Sequence, residues 1–549
     1  MRLVSRALLA GLWAAAAACS DPVPFDLLIV NARVVDGTGS PWYRADVAVQ
    51  GGSIAAMGRL AGRPARVVID ARDRVLAPGF IDMMGGSTLP LLLDPPSALS
   101  KLTQGITTML VGEGGSLAPQ NEKTLADAAP GLDTVVTWRR YREYFRLLES
   151  KGIPLNVLHT VGATQVRVAV IGEEGREPTP AELEQMKALV REAMEDGAVG
   201  LSSALIYPPG AYATTEELIE LAKVAAEYGG VYFSHMRNES GGLLEAIEEV
   251  VAIAESAGLP GHIYHLKAAG EENWRLMAPA LDLIRRARDR GVDITADIYP
   301  YVRNGIGLGA FLHPRHYVQG DEALRQRLGD PAFRRELRRE LETTYDWENW
   351  YRHVGRNWDN VLITSVGRNG DPRFVGLSLS EAARLAGRDV WEFFFDLVSQ
   401  GGVSVNPLSM DENQKRLALR APFVMFDTDA SPVNPRNVAS AHPRAFGTFP
   451  RILAKYVREE GVIPLEEAIR KMTALPADRL RLYRRGRIAP GMAADLVIFD
   501  PSRITDRATF TQPLQYSEGI DYVIVNGRLV IDAGRFTGAL PGLVLRNVP

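Results

Sequence analysis

The middle of the chain alternates helix and strand patterns, and this alternation constrains the fold more than any other feature. Four successive units each combine an amphipathic helix with a short apolar run, and each unit is about 30 residues long. Their predicted helices begin near 180, 215, 243 and 274 and end at Gly197, Gly229, Gly258 and Gly291. Such repetition favours parallel strands and, at this chain length, a (β/α)8 barrel whose chemistry lies at the carboxyl ends of the strands.

Both chain ends have a different pattern. Residues 20–75 and 481–549 show short strand runs separated by glycine-containing turns. We predict that these two segments build one small β-sandwich domain beside a barrel formed by 76–480. The charged stretch at about 303–360 is predicted to be an insertion in that barrel, with a solvated helix rather than a nucleic-acid surface.

The N-terminus has the layout of an export signal. Two arginines precede the apolar run Ala7–Ala18, which is shorter than the roughly 20 residues that span a bilayer. Three alanines then lead into Cys19, as in bacterial lipoprotein signals. We therefore predict a signal over 1–19, lipidation of Cys19 and an anchored protein on the periplasmic side, where Ser20 favours the outer membrane. The alternative is a plain cleaved signal with an incidental cysteine.

Composition excludes several classes of function. The 549 residues carry a formal net charge of −4, so the basic surplus of a nucleic-acid binder is missing. Cys19 is the one cysteine, which excludes an intrachain disulfide and any zinc site built on several thiolates.

Two histidines stand at matching positions of neighbouring strands. His235 ends one predicted strand and His265 ends the next, 30 residues later. Adjacent parallel strands lie about 4.8 Å apart, so both imidazoles can converge on one metal ion. The alternative is that both are satisfied core histidines. His262 lies an odd number of residues before His265, so we expect it on the opposite face in a structural role.

Asp429 closes the buried-strand run 424–429. A carboxylate at the last strand of a barrel suits a metal ligand or a general base. The alternative is an aspartate that caps a loop or a helix. Asp427 competes with Asp429 for this role, and we expect Asp427 to be the structural one of the pair.

Motifs near both ends of the predicted barrel resemble the amidohydrolase superfamily: APGFID at 77–82 and GMAADLV at 491–497. Others resemble the N-acyl-D-amino-acid deacylases, or D-aminoacylases: IYPPG at 206–210, HMRNE at 235–239, HLK at 265–267, HPR at 442–444 and GTFPR at 447–451. The resemblance implies a metal-dependent barrel hydrolase that cleaves a linear amide C–N bond. The resemblance also implies that His235, His265 and Asp429 occupy the metal-binding and catalytic positions of that family.

The chain departs from the resembled family at four ligand positions. The family's His-x-His pair is replaced by Met84 and Gly86, its cysteine ligand by Gly114, and a further histidine by Ala163. The second metal of binuclear relatives would be lost with these histidines.

We therefore expect one zinc ion, held by Glu113, His235 and His265. Glu113 precedes the missing thiolate by one residue, and a His2Glu set is a known catalytic zinc composition. In this hypothesis a metal-bound water attacks the amide carbonyl, and Asp429 acts as general base and then as general acid.

The resemblance suggests that the substrate is a carboxylate-bearing N-acyl-D-amino acid or D-residue dipeptide. Lys267 and Tyr299 are candidate carboxylate contacts, and Tyr207 is a candidate wall of the substrate site. Arg237 and Arg444 are further candidates. One alternative is a cyclic-amide hydrolase of the same superfamily. Another is a catalytically inactive lipoprotein that uses the pocket for binding.

Overall fold

The computed structural model describes residues 24–126, 135–367 and 370–547. The predicted signal over 1–19, with Cys19, lies outside the described residues. Within the three described ranges, no helix combines the length and the apolar character that crossing a membrane requires.

Five strands come first. They are β1 (Phe25–Val34), β2 (Tyr43–Gln50), β3 (Ser53–Gly58), β4 (Ala65–Asp70) and β5 (Val75–Pro78).

A barrel of parallel strands and outer helices follows. Its strands are β6 (Phe80–Asp82), β7 (Ile106–Val111), β8 (Asn156–His159), β9 (Val161–Gly162), β10 (Gly200–Ala204), β11 (Val231–His235), β12 (Gly261–Ile263) and β13 (Ile294–Ala296). Its helices are α1 (Leu89–Leu93), α2 (Leu99–Leu102), α3 (Glu122–Ala126), α4 (Tyr141–Lys151), α5 (Ala163–Ile171), α6 (Pro180–Asp196), α7 (Thr215–Glu227), α8 (Leu243–Ala257) and α9 (Met277–Asp289).

The segment around Val424 closes the barrel. β6 to β8 pair in parallel, as do β9 to β13. Val424 then bridges in parallel to β13, and the Phe426 carbonyl accepts from Met83 N beside β6 at 3.4 Å. The predicted (β/α)8 fold is confirmed, and the carboxyl ends of its strands lie at one face.

Local sequence signals set the helix ends as predicted. Thr179 caps α6 through a hydrogen bond from Glu182 N, while the Glu182 carboxylate accepts from Thr179 N at 2.7 Å. Gly197 ends the same helix with a left-handed φ of 112°, which costs glycine little.

The insertion is longer than predicted. Its strands are β14 (Ile306–Gly307), β15 (Val361–Val366) and β16 (Val403–Pro407), and its helices are α10 (Asp321–Arg327), α11 (Pro331–Thr343), α12 (Trp350–His353), α13 (Leu379–Leu385) and α14 (Val390–Gln400). β16 pairs antiparallel with both β14 and β15, and the unit has its own hydrophobic core. It therefore continues past the predicted limit of 360, because the charged pattern marks only its exposed helices.

The last elements complete the barrel wall and the β-domain. They are α15 (Glu412–Arg420), α16 (Arg444–Arg451), α17 (Leu465–Met472), α18 (Ala474–Arg479), β17 (Leu496–Phe499), β18 (Ile520–Val525), β19 (Arg528–Asp532) and β20 (Arg535–Phe536). One nine-stranded sheet runs in the order β20-β19-β18-β17-β5-β1-β2-β3, and β4 pairs with β1. The predicted small β-domain from both chain ends is present, and hydrogen bonds join all its strands into this one sheet.

Candidate active site

The three residues predicted as metal ligands meet at the carboxyl face of the barrel. His235 ends β11 and His265 follows β12, and their ring centroids lie 4.5 Å apart. Glu113, in the loop after β7, places Oε1 2.7 Å from His235 Nδ1 and 2.8 Å from His265 Nε2. One ligand atom from each residue lies within 4.8 Å of the others, so this set can hold a single ion.

The electrostatics of this cluster favour a cation. Burial alone would raise the pKa of Glu113, but hydrogen bonds from His235 and His265 outweigh it and hold that pKa below its usual value. Burial and the Lys267 charge lower the pKa of His265, yet the negative charges of Glu239 and Asp429 and the Glu113 hydrogen bond raise it well above the usual value. A site that holds a proton on a buried imidazole also attracts a metal ion, which competes with that proton.

The donor set fits zinc. Two imidazoles and one carboxylate are ligands that Zn²⁺ accepts in catalytic sites. His235 Nδ1 faces Glu113 and is the nitrogen that would meet the ion, whereas its Nε2 lies 3.5 Å from Glu239 Oε2.

Glu239 positions the second histidine, and the sequence reasoning missed it. It lies four residues after His235 in the HMRNE motif and is buried. Its Oε1 lies 3.0 Å from His265 Nδ1, and both of its oxygens accept from Lys267 Nζ at 2.7 Å. The ammonium of Lys267, a predicted substrate contact, is therefore held in a buried ion pair beside His265.

The insertion contributes a second carboxyl group to this network. Glu348 accepts a hydrogen bond from the backbone N–H of Glu239. Burial and the Glu239 charge raise the pKa of Glu348 to about 8. No sequence pattern singled out this contact, because Glu348 belongs to the insertion and is distant in sequence from both histidine strands.

His262 has a structural role, but its ring packs against Phe233 and Tyr264 inside the barrel and not on the opposite face that its spacing predicted. It lies 2.7 Å from Thr295 Oγ1 through Nδ1 and 2.9 Å from Asp297 Oδ2 through Nε2. Asp297 in turn accepts a hydrogen bond from the backbone N–H of His265, whose φ is 37°. This pair therefore holds the backbone turn that aims the His265 ring.

Asp429 stands beside the candidate metal ligands in the loop after the last barrel strand. Its φ is 44°, and Oδ2 lies 2.5 Å from Nη1 of Arg444. Burial raises the pKa of Asp429, although the Arg444 and His265 charges oppose that effect. A carboxyl group with a raised pKa can both accept and return a proton near neutral pH.

Asp427 differs from Asp429 in having no charged partner. Both of its oxygens are buried, and neither accepts a hydrogen bond within the described ranges. Burial and the neighbouring Asp297 and Asp429 charges raise the pKa of Asp427 well above its usual value. These surroundings disfavour the ionised carboxylate that a metal ligand needs, which supports a structural role for Asp427.

A buried lysine holds the loop of Asp429 from both sides. Lys101 Nζ donates to Thr428 Oγ1 and, at 2.6 Å, to the Ala430 carbonyl. It also lies 2.8 Å from Asp82 Oδ2, and Asp82 accepts from Thr428 N at 2.9 Å. The aspartate of the APGFID motif thus helps to hold the catalytic candidate, although it is not a ligand itself.

The two predicted tyrosines line the site. Tyr299 is buried, its hydroxyl makes no hydrogen bond with the described residues, and both Arg444 Cζ and Lys415 Nζ lie 4.7 Å from its ring centroid. Burial lowers the pKa of Lys415 to about 7. The Tyr207 ring meets the His235 ring edge-on at 5.4 Å.

An apolar cavity of about 370 Å³ opens beside Tyr207. Its far wall belongs to the insertion and is lined mainly by Leu308, Leu312, Leu324, Leu328, Leu397 and Val398. Asp321 and Arg325 also line it. The cavity therefore suits an apolar substituent of a substrate whose polar part reaches His235.

Arg237, the other candidate arginine, is engaged elsewhere. Its guanidinium donates to the Glu249 carboxylate and to the carbonyls of Ala211 and Ala213. These contacts give Arg237 a structural role at the base of a loop.

Two of the four replaced ligand positions are closed to a side chain. Gly86 has φ 73°, and a Cβ added there would lie 2.6 Å from Ser431 N. Gly114 has φ 70°, and its added Cβ would lie 2.6 Å from Ala204 N. Neither position accepts a side chain without movement of backbone.

Comparison with known proteins identifies the family. Residues 67–333 and 378–531 match the profile of the Amidohydrolase family. Over 95% of this chain, it is 35% identical to an N-acyl-D-glutamate deacylase of Alcaligenes xylosoxydans xylosoxydans, and the match covers 96% of that protein. A D-aminoacylase of the same organism is 34% identical over 96% of this chain and 98% of its own length.

A solved structure agrees. The N-acyl-D-glutamate deacylase of Bordetella bronchiseptica, complexed with zinc and a phosphonate inhibitor, superimposes with a TM-score of 0.78 at 33% identity. The match covers 95% of this chain and 100% of that one. The chain therefore belongs to the amidohydrolase family, in the group that contains the D-aminoacylases and N-acyl-D-amino-acid deacylases.

Proposed function

We propose that this amidohydrolase cleaves the linear amide bond of N-acyl-D-amino acids with one zinc ion held by Glu113, His235 and His265. The observation that carries the proposal is the Glu113 carboxylate oxygen within 2.8 Å of a nitrogen of each imidazole. The named relatives act on acylated D-amino acids, which favours a linear amide over a cyclic one.

A single ion is favoured because the second set of ligands is replaced. Met84, Gly86 and Ala163 offer no donor side chain, and the backbone around Gly86 is closed to a larger one. When bound, zinc polarises the amide carbonyl and lowers the pKa of a coordinated water toward neutrality.

Asp429 moves the proton of the reaction. It takes a proton from the attacking water, whose oxygen forms the new bond to the carbonyl carbon. It then gives that proton to the amide nitrogen as the C–N bond breaks, which leaves a carboxylic acid and a free amine. The raised pKa of Asp429 suits both directions of transfer, and its ion pair with Arg444 fixes the carboxylate.

The polar wall beside Tyr299 suits the substrate carboxylate. Arg444 Nε and the Tyr299 hydroxyl are both buried and make no hydrogen bond with any described residue. Two such donors, with Lys267 and Lys415 nearby, provide the charge-assisted hydrogen bonds that a carboxylate accepts. The cavity beside Tyr207 then takes the apolar part of the substrate.

The location of the protein is part of the proposal. The Ala7–Ala18 run followed by Cys19 supports export and a lipid anchor on the periplasmic side, with the outer membrane favoured. D-configured amides occur in the bacterial cell wall, which lies in that compartment.

Metal analysis and a substrate panel test the proposal together. Zinc content is measured on purified wild-type protein, on Glu113→Gln and on a matched control, Glu216→Gln, at an exposed position of α7. Hydrolysis is measured on N-acetyl-D-amino acids, their L-enantiomers and a hydantoin. We expect one zinc ion in the wild type and the control, loss of zinc and activity in Glu113→Gln, and preference for the linear D-substrates.

Each result has a separate meaning. Unchanged zinc in Glu113→Gln would remove Glu113 from the ligand set. A metal-free wild type without amide hydrolysis would support a binding protein instead. Ring opening without linear hydrolysis would support the cyclic-amide alternative.

A further inference from the structure

A large cleft lies at the opposite end of the barrel from the active site. Its volume is about 1360 Å³. The cleft is lined by the C-terminal end of α7, which leads into the N-terminal end of β11. His235 lies at the other, C-terminal end of β11. Turns of the β-domain at 51–53 and 526–528 form its other wall.

The cleft has an excess of positive charge. Six arginines line it against two carboxylates, those of Asp26 and Glu227. Three of these arginines are paired: Arg66 lies 3.3 Å from Asp26, Arg546 lies 2.6 Å from Glu149, and Arg485 forms an ion pair with Asp495. Among the residues that the structure describes, Arg481 and Arg528 contact no carboxylate. The full set of arginines is Arg66, Arg481, Arg484, Arg485, Arg528 and Arg546.

Apolar side chains are exposed around the same cleft. Tyr483 is 81% exposed and Leu543 is 48% exposed, and both line it. Val67 lines it as well, and the adjacent Val68 is 58% exposed. Basic groups with apolar neighbours are the pattern of a surface that meets an anionic membrane.

The start of the described chain is at this cleft. Asp26 lines it, and Pro24 is the first described residue. Cys19 precedes Pro24 by five positions, so the extended chain between them spans at most about 18 Å. A lipid on Cys19 would therefore hold this face, rather than the active-site face, close to the bilayer.

We propose that this cleft docks onto the membrane and binds the headgroups of anionic phospholipids in the bilayer that holds the Cys19 lipid. The inference rests on the proposed anchor and goes beyond the hydrolytic function. Its consequence is that the carboxyl face of the barrel, with His235 and Asp429, points away from the membrane toward soluble substrates.

Vesicle binding tests the proposal. The full chain carrying Cys19→Ser, which cannot be acylated, is mixed with vesicles of pure phosphatidylcholine or of phosphatidylcholine with one third phosphatidylglycerol. The cleft variant is Arg481→Gln/Arg528→Gln. The matched control, Arg335→Gln/Arg339→Gln, removes two exposed charges from α11, on the insertion. The signal segment is common to every variant, so a difference between variants belongs to the surface that was changed.

We expect the parent chain and the control to prefer the phosphatidylglycerol vesicles. At about fivefold per arginine, the cleft variant should bind these vesicles about twenty-fivefold more weakly and lose that preference. Hydrolysis should stay at the parent level in all variants, since both substitutions lie outside the active site. Equal binding of parent and cleft variant would overturn the proposal, as would an equal loss in the control. Sedimentation with cell-wall sacculi instead of vesicles would also overturn it and indicate a cell-wall partner.

Discussion

Replacing Lys101 by methionine should damage both stability and catalysis, for different reasons. Lys101 and Asp82 are fully buried and form a 2.8 Å ion pair, so Lys101→Met leaves a buried carboxylate without its counter-charge. Removal of one partner of such a pair costs about 3–5 kcal/mol of unfolding free energy. The substitution also removes the hydrogen bonds to Thr428 and Ala430, which flank Asp429.

The catalytic loss follows from the loop. Asp429 has a φ of 44°, a conformation that an aspartate keeps only when its surroundings hold it. A displacement of about 1 Å in a reacting group costs about a hundredfold in rate, so we expect kcat to fall by about that factor. KM should change little, because Lys101 is held by Asp82 and by the loop carbonyl rather than by the substrate wall.

The assay combines urea unfolding with steady-state kinetics on an N-acetyl-D-amino acid. Lys471→Met is the control, because Lys471 is also fully buried but donates to the carbonyls of Leu419 and Ala421 instead of the catalytic loop. It should cost about 1–3 kcal/mol and leave kcat unchanged. Asp82→Asn/Lys101→Met should regain part of the stability but not the rate. A folded Lys101→Met protein with wild-type kcat would refute the reasoning, as would an equal loss of kcat in Lys471→Met.

Further predictions concern groups beside the site. Burial lowers the pKa of His159 to about 3, so on acidification toward pH 5 only the unfolded chain takes up this proton. The free energy of unfolding should therefore fall by about 2 kcal/mol between about pH 7 and 5. His159→Phe should remove that part of the loss in urea titrations. Asp427→Asn should change stability by less than about 1 kcal/mol in the same assay, because burial and the neighbouring carboxylates already disfavour the ionised form. A loss above about 3 kcal/mol would show that Asp427 is charged. Gly114→Cys should lower stability by at least about 1 kcal/mol and add no second zinc ion in metal analysis, because its Cβ would meet Ala204 N at 2.6 Å.

The sequence was sufficient to predict the barrel and the approach of the two candidate ligand histidines, because both follow from local patterns. Helix caps, glycine stops and apolar runs repeat along the chain, and a histidine at a strand end needs only the strand spacing to find its neighbour. Glu113 required one more assumption, that its side chain points inward. In the structure it does, and its carboxylate lies between the rings of His235 and His265.

The groups that hold these ligands could not be predicted in the same way. Glu348 belongs to the insertion, and its contact with Glu239 joins residues that are distant in the chain. Lys101 lies on α2 and contacts a loop more than 300 residues later. Only Glu239 had a local signal, because it lies four residues after His235 in the HMRNE motif. This spacing does not show whether Glu239 is itself a metal ligand or a residue that positions one.

If one ion binds as proposed, the packing after the first two barrel strands explains why two of the replaced ligand positions cannot hold a second one. At Gly86 the backbone of Ser431 fills the space in which a ligand side chain would project, and at Gly114 the backbone of Ala204 does the same. A single substitution back to a ligand would therefore clash before it could bind an ion. Glu113, His235 and His265 keep their donor atoms within reach of one another, although Gly114 directly follows Glu113 in the loop after β7. The hydroxyl of Ser431 also accepts a hydrogen bond from Ser87 N. This contact joins the segment after Gly86 to the loop of Asp429. The closed position at Gly86 is thus part of the contacts that surround the loop of Asp429.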